Sequence, residues 1–246
     1  MSRVEIDIRK KAYPARHGLG EHVAIKNLRL ELEAGEFVCL VGPSGCGKTT
    51  LLHIVAGLDR HFEGGIGTDE GKGAPRIGYV FQNPRLLPWR TVRENIDLAL
   101  PAGEAGDDVD HLLEVMDLAQ WQGHYPQTLS GGMGRRAALA RAFAIRPTLL
   151  LMDEPFVSLD PPTARRIRQL LVDVWRERPH TVLFVTHDLR EAIALADRLV
   201  FLSAPPATVL HEVAVDIPRA ERDDEAAIEA FRGRLTEDHP EIRELL

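Results

Sequence analysis

Residues 42–49 constrain this chain more strongly than any other stretch. They read GPSGCGKT and fit the pattern G-x-x-x-x-G-K-[ST]. A nearly continuous apolar run at residues 37–41, typical of a strand buried on both faces of a sheet, comes directly before them, and a helical pattern begins at residue 49. Glycines at such a turn let backbone N–H groups point at phosphate oxygens, and the helix N-terminus favours negative charge. The stretch therefore predicts a phosphate-binding loop between a strand and a helix.

The residue types of this loop indicate the kind of ligand that it binds. We expect Lys48 to reach the β- and γ-phosphates of a nucleotide and the Thr49 hydroxyl to ligate Mg²⁺. The predicted nucleotide-binding residues of this stretch are Gly42, Pro43, Ser44, Gly45, Cys46, Gly47, Lys48, Thr49 and Thr50.

Strand and helix patterns alternate along much of the chain. This alternation indicates an α/β fold with a parallel sheet and crossover helices. Alternating segments at residues 4–8 and 25–32 predict further strands, in an N-terminal antiparallel β region. The other buried runs lie at residues 149–152, 182–185 and 199–202, and the helical patterns at residues 49–56, 162–175 and 189–196.

Between residues 84 and 146 strand-like runs disappear and helical patterns follow one another, which predicts an inserted α-helical subdomain. Five glycines in residues 64–73 predict a turn or loop there. We expect residues 1–246 to form a single domain. Its predicted parts are an α/β core at 1–83 and 147–203, the helical subdomain at 84–146 with helices at 92–100, 109–118 and 131–143, and a C-terminal extension at 204–246 with a strand at 209–215.

Composition excludes several classes of protein. Hydrophobic residues make up 44% and charged residues 27% of the chain, as in an ordinary soluble globular protein. The net charge of −7 argues against a nucleic-acid binder, which would present a basic face. No apolar run approaches the roughly 18–20 residues that span a bilayer, and the start lacks the apolar stretch of a signal peptide. The two cysteines form neither a disulfide framework nor a metal-binding spacing.

Two carboxylates, Asp153 and Glu154, follow the apolar run at residues 149–152. Ligand-binding residues of α/β sheets gather at the C-terminal ends of the strands. We expect Asp153 to hold Mg²⁺ and Glu154 to polarise the water that attacks the γ-phosphate. A solvated acidic turn is the alternative, and the phosphate loop upstream favours the catalytic interpretation.

Residues 129–133, which read LSGGM, are not explained by a phosphate loop alone. They resemble the L-S-G-G signature of ABC ATPases, and the resemblance extends over essentially the whole chain. Gln82 resembles the Q-loop glutamine of that family, Asp160 the D-loop aspartate and His187 the switch histidine. Tyr13 resembles the aromatic residue that stacks on adenine, at a longer spacing from the phosphate loop than is usual. The chain is therefore identified as an ABC ATPase with that family's P-loop fold.

The resemblance implies ATP hydrolysis in a head-to-tail homodimer that holds two ATP molecules. Ser130, Gly131 and Gly132 would close on the ATP bound to the second copy, and Asp160 would link the two sites across the dimer. A role for Ser130 as a helix N-cap alone is the alternative. Gly134 stands where the family usually has a basic residue, and it should weaken the start of this helix by up to about 1 kcal/mol.

The resemblance also implies which residues act on ATP and Mg²⁺. Lys48 would neutralise γ-phosphate charge, Glu154 would act as the base, and His187 would help to order the attacking water. Gln82 would ligate Mg²⁺ and report the nucleotide state to a permease. The implied catalytic residues are Glu154, His187, Lys48 and Gln82, and the implied metal ligands are Thr49, Gln82 and Asp153.

Residues 82–92, which read QNPRLLPWRTV, resemble the Q-loop region of bacterial importers for nitrate, sulfonate and taurine. This implies two separate permease subunits, a periplasmic or extracellular solute-binding protein, and a peripheral position at the cytoplasmic face of the cell membrane. Leu86, Leu87 and Trp89 either dock a permease helix or pack the helical subdomain. Two other functions stay open: an ABC ATPase that energises export or lipid movement, and a soluble ATP-driven switch.

Overall fold

The computed structural model describes residues 3–14, 21–68, 75–101 and 107–244. The chain forms two compact units. The first comprises residues 1–74 and 181–246, and the second comprises residues 75–180. Within the described ranges no helix is both long enough and apolar enough to cross a membrane.

A three-stranded antiparallel sheet begins the first unit. Strand β1 (Val4–Tyr13) lies between β2 (His22–Leu32) and β4 (Glu63–Thr68). Ile6 and Ile8 of β1 are buried, as are their partners in β2. The alternation of buried and exposed residues that predicted β1 and β2 is thus the inward and outward alternation of a strand. The predicted N-terminal antiparallel region is confirmed.

The glycine-rich stretch 64–73 differs from its predicted turn or loop in its first part. Residues 64–68 belong to β4 and pair with β1, so the prediction is wrong for them, and residues 69–73 lie outside the described residues. Gly64 has a φ of 137°, and a Cβ there would lie 2.0 Å from the backbone oxygen of Asp7. The glycine that suggests a turn is therefore what lets β4 approach β1 this closely.

The second sheet of the first unit is mainly parallel. Strand β3 (Phe37–Val41) lies between β7 (Thr181–Val185) and β8 (Arg198–Leu202), parallel to both, and β9 (Val209–Ala214) pairs with β8 antiparallel. Every residue of β3 and β7 is buried, which explains their continuous apolar sequences. This confirms the predicted parallel sheet. The helices of this unit are α1 (Lys48–Val55), α6 (Leu189–Leu195) and α7 (Glu225–Asp238).

In its described residues the second unit has two parallel strands and four α-helices. Its strands are β5 (Ile77–Val80) and β6 (Leu149–Asp153). The sequence analysis did not identify β5, because it has only four residues and its buried positions include Gly78. A Cβ at Gly78 would lie 2.7 Å from the backbone oxygen of Ala142. The helices are α2 (Val92–Asp97), α3 (Asp107–Val115), α4 (Gly131–Ala144) and α5 (Pro161–Glu177).

The helices predicted between residues 84 and 146 all occur, with different ends. Helix α2 begins at a capping box formed by Thr91 and Glu94 and ends at Asp97, short of the predicted residue 100. The predicted subdomain 84–146 falls within the second unit, and its separate boundaries stay a prediction. Residues 102–106 lie outside the described residues.

The contact between β1 and β4 generates a stability prediction. We expect Gly64→Ala to lower the free energy of unfolding by about 1–3 kcal/mol, because the strained φ and the clash with the Asp7 oxygen force β4 away from β1. Gly65→Ala is the matched control, since a Cβ at Gly65 has no neighbour within 4 Å. Urea unfolding of both variants is the measurement. Equal losses in the two would contradict the assignment of the effect to Gly64.

Candidate nucleotide-binding site

The predicted phosphate loop leaves the carboxyl end of β3 and enters α1. Gly47 occupies the N-cap of α1 with φ 113° and ψ 8°, a conformation that residues with a side chain rarely adopt. A Cβ at Gly47 would also lie 3.2 Å from the backbone oxygen of Ala24 in β2. Both the backbone conformation and the packing against β2 therefore require glycine at this position.

The start of α1 has the geometry of an anion-binding site. The first backbone N–H groups of a helix have no acceptor within the helix, and the glycine at the N-cap supplies no side-chain cap. The helix dipole adds partial positive charge at the same end. A phosphate group fits this end of the helix because its oxygens accept hydrogen bonds from several amides at once.

Lys48 adds a full positive charge to the loop. Its side chain is buried, with 5% exposure, and Nζ donates to the backbone oxygens of Gly42 at 2.7 Å and Pro43 at 3.0 Å. Among the described residues no carboxylate lies within ion-pair distance of Nζ. A buried ammonium group without a counter-charge is costly, so this loop is suited to an anionic ligand.

Tyr13 lies beside the start of α1, although 37 positions separate it from Thr50. Its hydroxyl lies 3.1 Å from Thr50 Oγ1, and its ring is 39% exposed. The ammonium group of Lys11 lies 4.6 Å from the ring centroid and is also ion-paired with Asp59 at 2.7 Å. The fold thus brings an accessible aromatic ring next to the loop despite the unusual spacing. Lys11 and Asp59 were not predicted from the sequence. Lys11 contacts the Tyr13 ring, and its ion pair with Asp59 fixes the position of its ammonium group.

His187 follows the carboxyl end of β7, the strand next to β3. Leu40 of β3 is paired with Val185 of β7, so the two parallel strands end at the same edge of the sheet. His187 is exposed at this edge. The neighbouring backbone is fixed by the Thr186 hydroxyl, which donates to Glu191 Oε2 at 2.8 Å and accepts from the Asp188 N–H at 3.1 Å. The structure therefore places His187 at the edge from which the phosphate loop leaves.

Asp153 and Glu154 lie at the end of β6 in the second unit. Asp153 is buried, with 5% exposure. Burial raises the pKa of Tyr79 on the neighbouring strand, and the negative charge of Asp153 raises it further. Glu154 is half-buried and has a φ of 43°, which is uncommon for a residue with a side chain. Such backbone conformations cluster at functional sites, where the surrounding structure holds them.

The Q-loop and D-loop segments of the second unit are held by one side chain. Arg135 of α4 donates from one terminal nitrogen to the Gln82 backbone oxygen at 2.6 Å and from the other to the Val157 backbone oxygen at 2.7 Å. Arg141, six residues further along the helix, donates to the backbone oxygens of Pro84 and Arg85 at 2.7 and 2.9 Å. No role for Arg135 was predicted from the sequence.

The signature residues form the start of α4. Ser130 is the N-cap, and its Oγ accepts from the Met133 N–H at 3.2 Å. Gly131 has open space around it, whereas a Cβ at Gly132 would lie 2.8 Å from Thr163 Cγ2 of α5. Asp160 caps α5 in the same way, accepting from the Thr163 N–H at 3.0 Å, and hydrogen bonds from the Thr163 side chain and backbone lower the pKa of its carboxyl group. Ser130 is therefore a helix N-cap, and its side chain does not occupy the Gly131 and Gly132 amides.

The oxygen donors predicted for Mg²⁺ are a hydroxyl, an amide and a buried carboxylate, from Thr49, Gln82 and Asp153. Hard cations such as Mg²⁺ prefer oxygen ligands of this kind. The donor chemistry therefore fits the ion.

Comparisons with known proteins agree with these features. The family model for ABC transporters matches residues 25–157, which is more than half of the chain. The nitrate import ATP-binding protein of Synechocystis is 43% identical over 208 residues, covering 81% of this chain and 78% of that protein. An aliphatic sulfonates import ATP-binding protein of Burkholderia cenocepacia is 43% identical over 225 residues, covering 90% of this chain and 83% of that protein.

Solved structures give the same result. The dimeric ATP-binding cassette MJ0796 in a post-hydrolysis state, bound to ADP and Pi, superposes with a TM-score of 0.73 at 31% identity. The match covers 87% of this chain and 100% of that one. The chain belongs to the ABC transporter family and is one of that family's ATP-binding subunits, an ATPase.

Proposed function

We propose that this chain is the ATPase subunit of an importer that moves a small solute of the nitrate, sulfonate or taurine kind through separate permease subunits. The observation that carries the ATP-driven part is Lys48, a buried cation whose charge a nucleotide phosphate balances. The names of the similar nitrate and sulfonate import proteins support the importer part. In this proposal an external solute-binding protein delivers the solute, and the chain lies at the cytoplasmic face of the cell membrane.

The phosphate loop binds and orients the triphosphate. Amides at the start of α1 donate hydrogen bonds to the phosphate oxygens, and Lys48 exchanges its two carbonyl partners for phosphate oxygens. Bound Mg²⁺ would neutralise the developing charge on the β- and γ-phosphates. Thr49, Gln82 and Asp153 would hold that ion, because all three offer oxygen atoms. Tyr13 stacks on the adenine in this proposal.

Glu154 is the proposed general base. A carboxylate that takes a proton from the attacking water contributes about 10²–10⁴-fold to the rate when it is well oriented. The positive φ at Glu154 fixes the direction in which its side chain leaves the backbone. His187, exposed at the edge of the sheet, contacts the γ-phosphate and helps to hold the water.

The signature residues act on the ATP of a second copy. The amides of Gly131 and Gly132 begin an α-helix of fourteen residues, so they present partial positive charge to a phosphate. Open space around Gly131 leaves its backbone accessible. Two copies of the chain then hold two ATP molecules head to tail, with Asp160 at the dimer interface. The dimeric form of the similar cassette supports this arrangement.

Trp89 is the proposed permease contact. Its side chain is 69% exposed, whereas Leu86 and Leu87 are half-buried. The loop that carries it is fixed by Asn95, which is buried and donates to the backbone oxygens of Leu87 and Arg90 at 3.2 and 3.1 Å. A large apolar side chain on a preorganised loop loses little conformational entropy when it docks. We therefore favour docking for Trp89 and packing for the two leucines.

The geometry of the phosphate loop generates a binding prediction. We expect Gly47→Ala to weaken ATP binding by at least about tenfold. Alanine is strained in the backbone conformation that position 47 has in the loop, so the variant loop must either bear this strain or change its shape. Gly35→Ala is the matched control: Gly35 also has a positive φ, of 78°, and lies between β2 and β3, at the opposite end of β3 from the phosphate loop. Titration with a fluorescent ATP analogue is the measurement. Equal affinities of the two variants would refute the proposed phosphate contact.

The proposed base generates a kinetic prediction. Glu154→Gln should bind ATP with little change in affinity and hydrolyse it at least about 100-fold more slowly, because the amide cannot accept the proton. The variant should also accumulate as a dimer in the presence of ATP. Glu114→Gln, an exposed carboxylate of α3, is the control. Phosphate release and size-exclusion chromatography are the measurements, and normal turnover of the Glu154 variant would exclude it as the base.

The exposed tryptophan generates a partner prediction. Glu154→Gln protein, purified from membranes of its native host with ATP present, should bring down a multi-span permease and a solute-binding protein. Adding Trp89→Ala should remove both without changing ATP binding, whereas adding Leu58→Ala should not. Leu58 is a comparable control because it is 61% exposed and lies in the first unit. Recovery of a permease alone would favour export, and recovery of soluble partners alone would refute the transport function.

A further inference from the structure

Three potential metal ligands meet in the C-terminal part of the first unit. His211 lies in β9, His239 is the C-cap of α7, and Glu241 lies in the short 3₁₀ helix that follows, Pro240–Glu244. One ligand atom from each side chain lies within 4.8 Å of the other two. None of these residues has a role in the proposed ATP chemistry.

The distances within this cluster suit a small cation. Glu241 Oε1 lies 2.7 Å from His211 Nε2 and 3.6 Å from His239 Nδ1, and the two imidazole centroids are 4.8 Å apart. In a tetrahedral zinc site with bonds of about 2.0–2.1 Å, neighbouring ligand atoms lie about 3.3 Å apart. Side-chain rotations that shift the three atoms by about an ångström would therefore produce this geometry.

The backbone beneath the cluster is fixed by three separate elements. His211 is paired with Phe201 of β8 in the sheet. The His239 N–H donates to the Leu235 oxygen at 3.0 Å, and the Ile242 N–H donates to the His239 oxygen at the same distance. Ile242 is fully buried, which anchors the 3₁₀ helix that carries Glu241. Three side chains that converge from a fixed backbone differ from a chance pair of exposed charges.

Exposure leaves room for an ion and a water molecule. The side chains of His211, His239 and Glu241 are 32%, 33% and 47% exposed. One imidazole would suffice to pair with Glu241, so an ion pair alone does not explain the second one. Two imidazoles and one carboxylate are a ligand set found in zinc proteins, where water completes the coordination.

We propose that His211, His239 and Glu241 bind one divalent transition-metal ion, zinc in the first place, with water as the remaining ligand. The ion ties the C-terminal end of α7 and the 3₁₀ helix to β9. Zinc then stabilises the C-terminal segment of the folded chain, because it binds the folded state and the ligands are dispersed in the unfolded one. This proposal is independent of the importer function.

The test uses the full-length chain without a histidine tag, stripped of metal by a chelator and free of nucleotide. Zinc is titrated against a chromophoric chelator. We expect one bound equivalent, with the affinity reduced at least about tenfold in His211→Ala and again in His239→Ala. His111→Ala is the matched control, since His111 Nε2 also lies 3.0 Å from a glutamate, Glu177, on an exposed surface, and among the described residues this pair is not part of a group of three potential ligands. Circular dichroism verifies that each variant is folded.

A second measurement keeps the result independent of any folding defect. Hydrogen exchange of the wild-type chain should slow in residues 225–244 when zinc is added, and Co²⁺ in place of zinc should give the visible absorption of a tetrahedral or five-coordinate site. Zinc binding that persists unchanged in both histidine variants would overturn the proposal. So would wild-type affinity no higher than that of His211→Ala, or zinc that binds without protecting residues 225–244.

Discussion

The nucleotide site depends on how the buried ammonium group of Lys48 is held by its own loop. Its neighbours are backbone oxygens of its own loop, which solvate the charge and do not neutralise it. The loop follows directly after β3, and it packs against β2, where Gly47 lies close to the backbone oxygen of Ala24. These two contacts fix the shape of the loop. The Ala207 N–H donates to the same Ala24 oxygen at 2.8 Å. The antiparallel sheet is therefore a support for the phosphate loop.

Strain at Glu154 has a comparable function in the second unit. A residue that must present a carboxylate in one direction gains from a backbone that allows few alternatives. The positive φ of 43° comes directly after the buried strand β6, whose last residue, Asp153, is itself buried. The Val157 N–H donates to the Glu154 oxygen at 3.3 Å, and Arg135 holds the Val157 oxygen. The turn that carries the proposed base is thus fixed on both of its sides.

Sequence patterns predicted most of the regular strands and helices of this structure. Strands β3, β6 and β7 were identifiable because burial on both faces produces uninterrupted apolar runs. Strand β4 was not, because the glycine needed for close approach to β1 has the same signature as a turn. The roles of Asn95 and Arg135 were not predicted for another reason. Both donate hydrogen bonds to backbone oxygens, and every residue has a backbone oxygen, so no particular residue type at the partner position signals the contact.

The proposed function requires a change at the nucleotide to reach a permease, and the segment from Gln82 to Trp89 joins the two proposed contact residues. At one end the backbone oxygen of Gln82 accepts a hydrogen bond from Arg135. At the other end Asn95 donates a hydrogen bond to the backbone of the loop that carries Trp89. Between them the Arg85 guanidinium lies 4.1 Å from the centroid of the Phe81 ring. A flexible segment would absorb a displacement of Gln82. A segment held at both ends and in the middle transmits it, and we propose that a movement of Gln82 on binding or loss of nucleotide reaches the exposed tryptophan in this way.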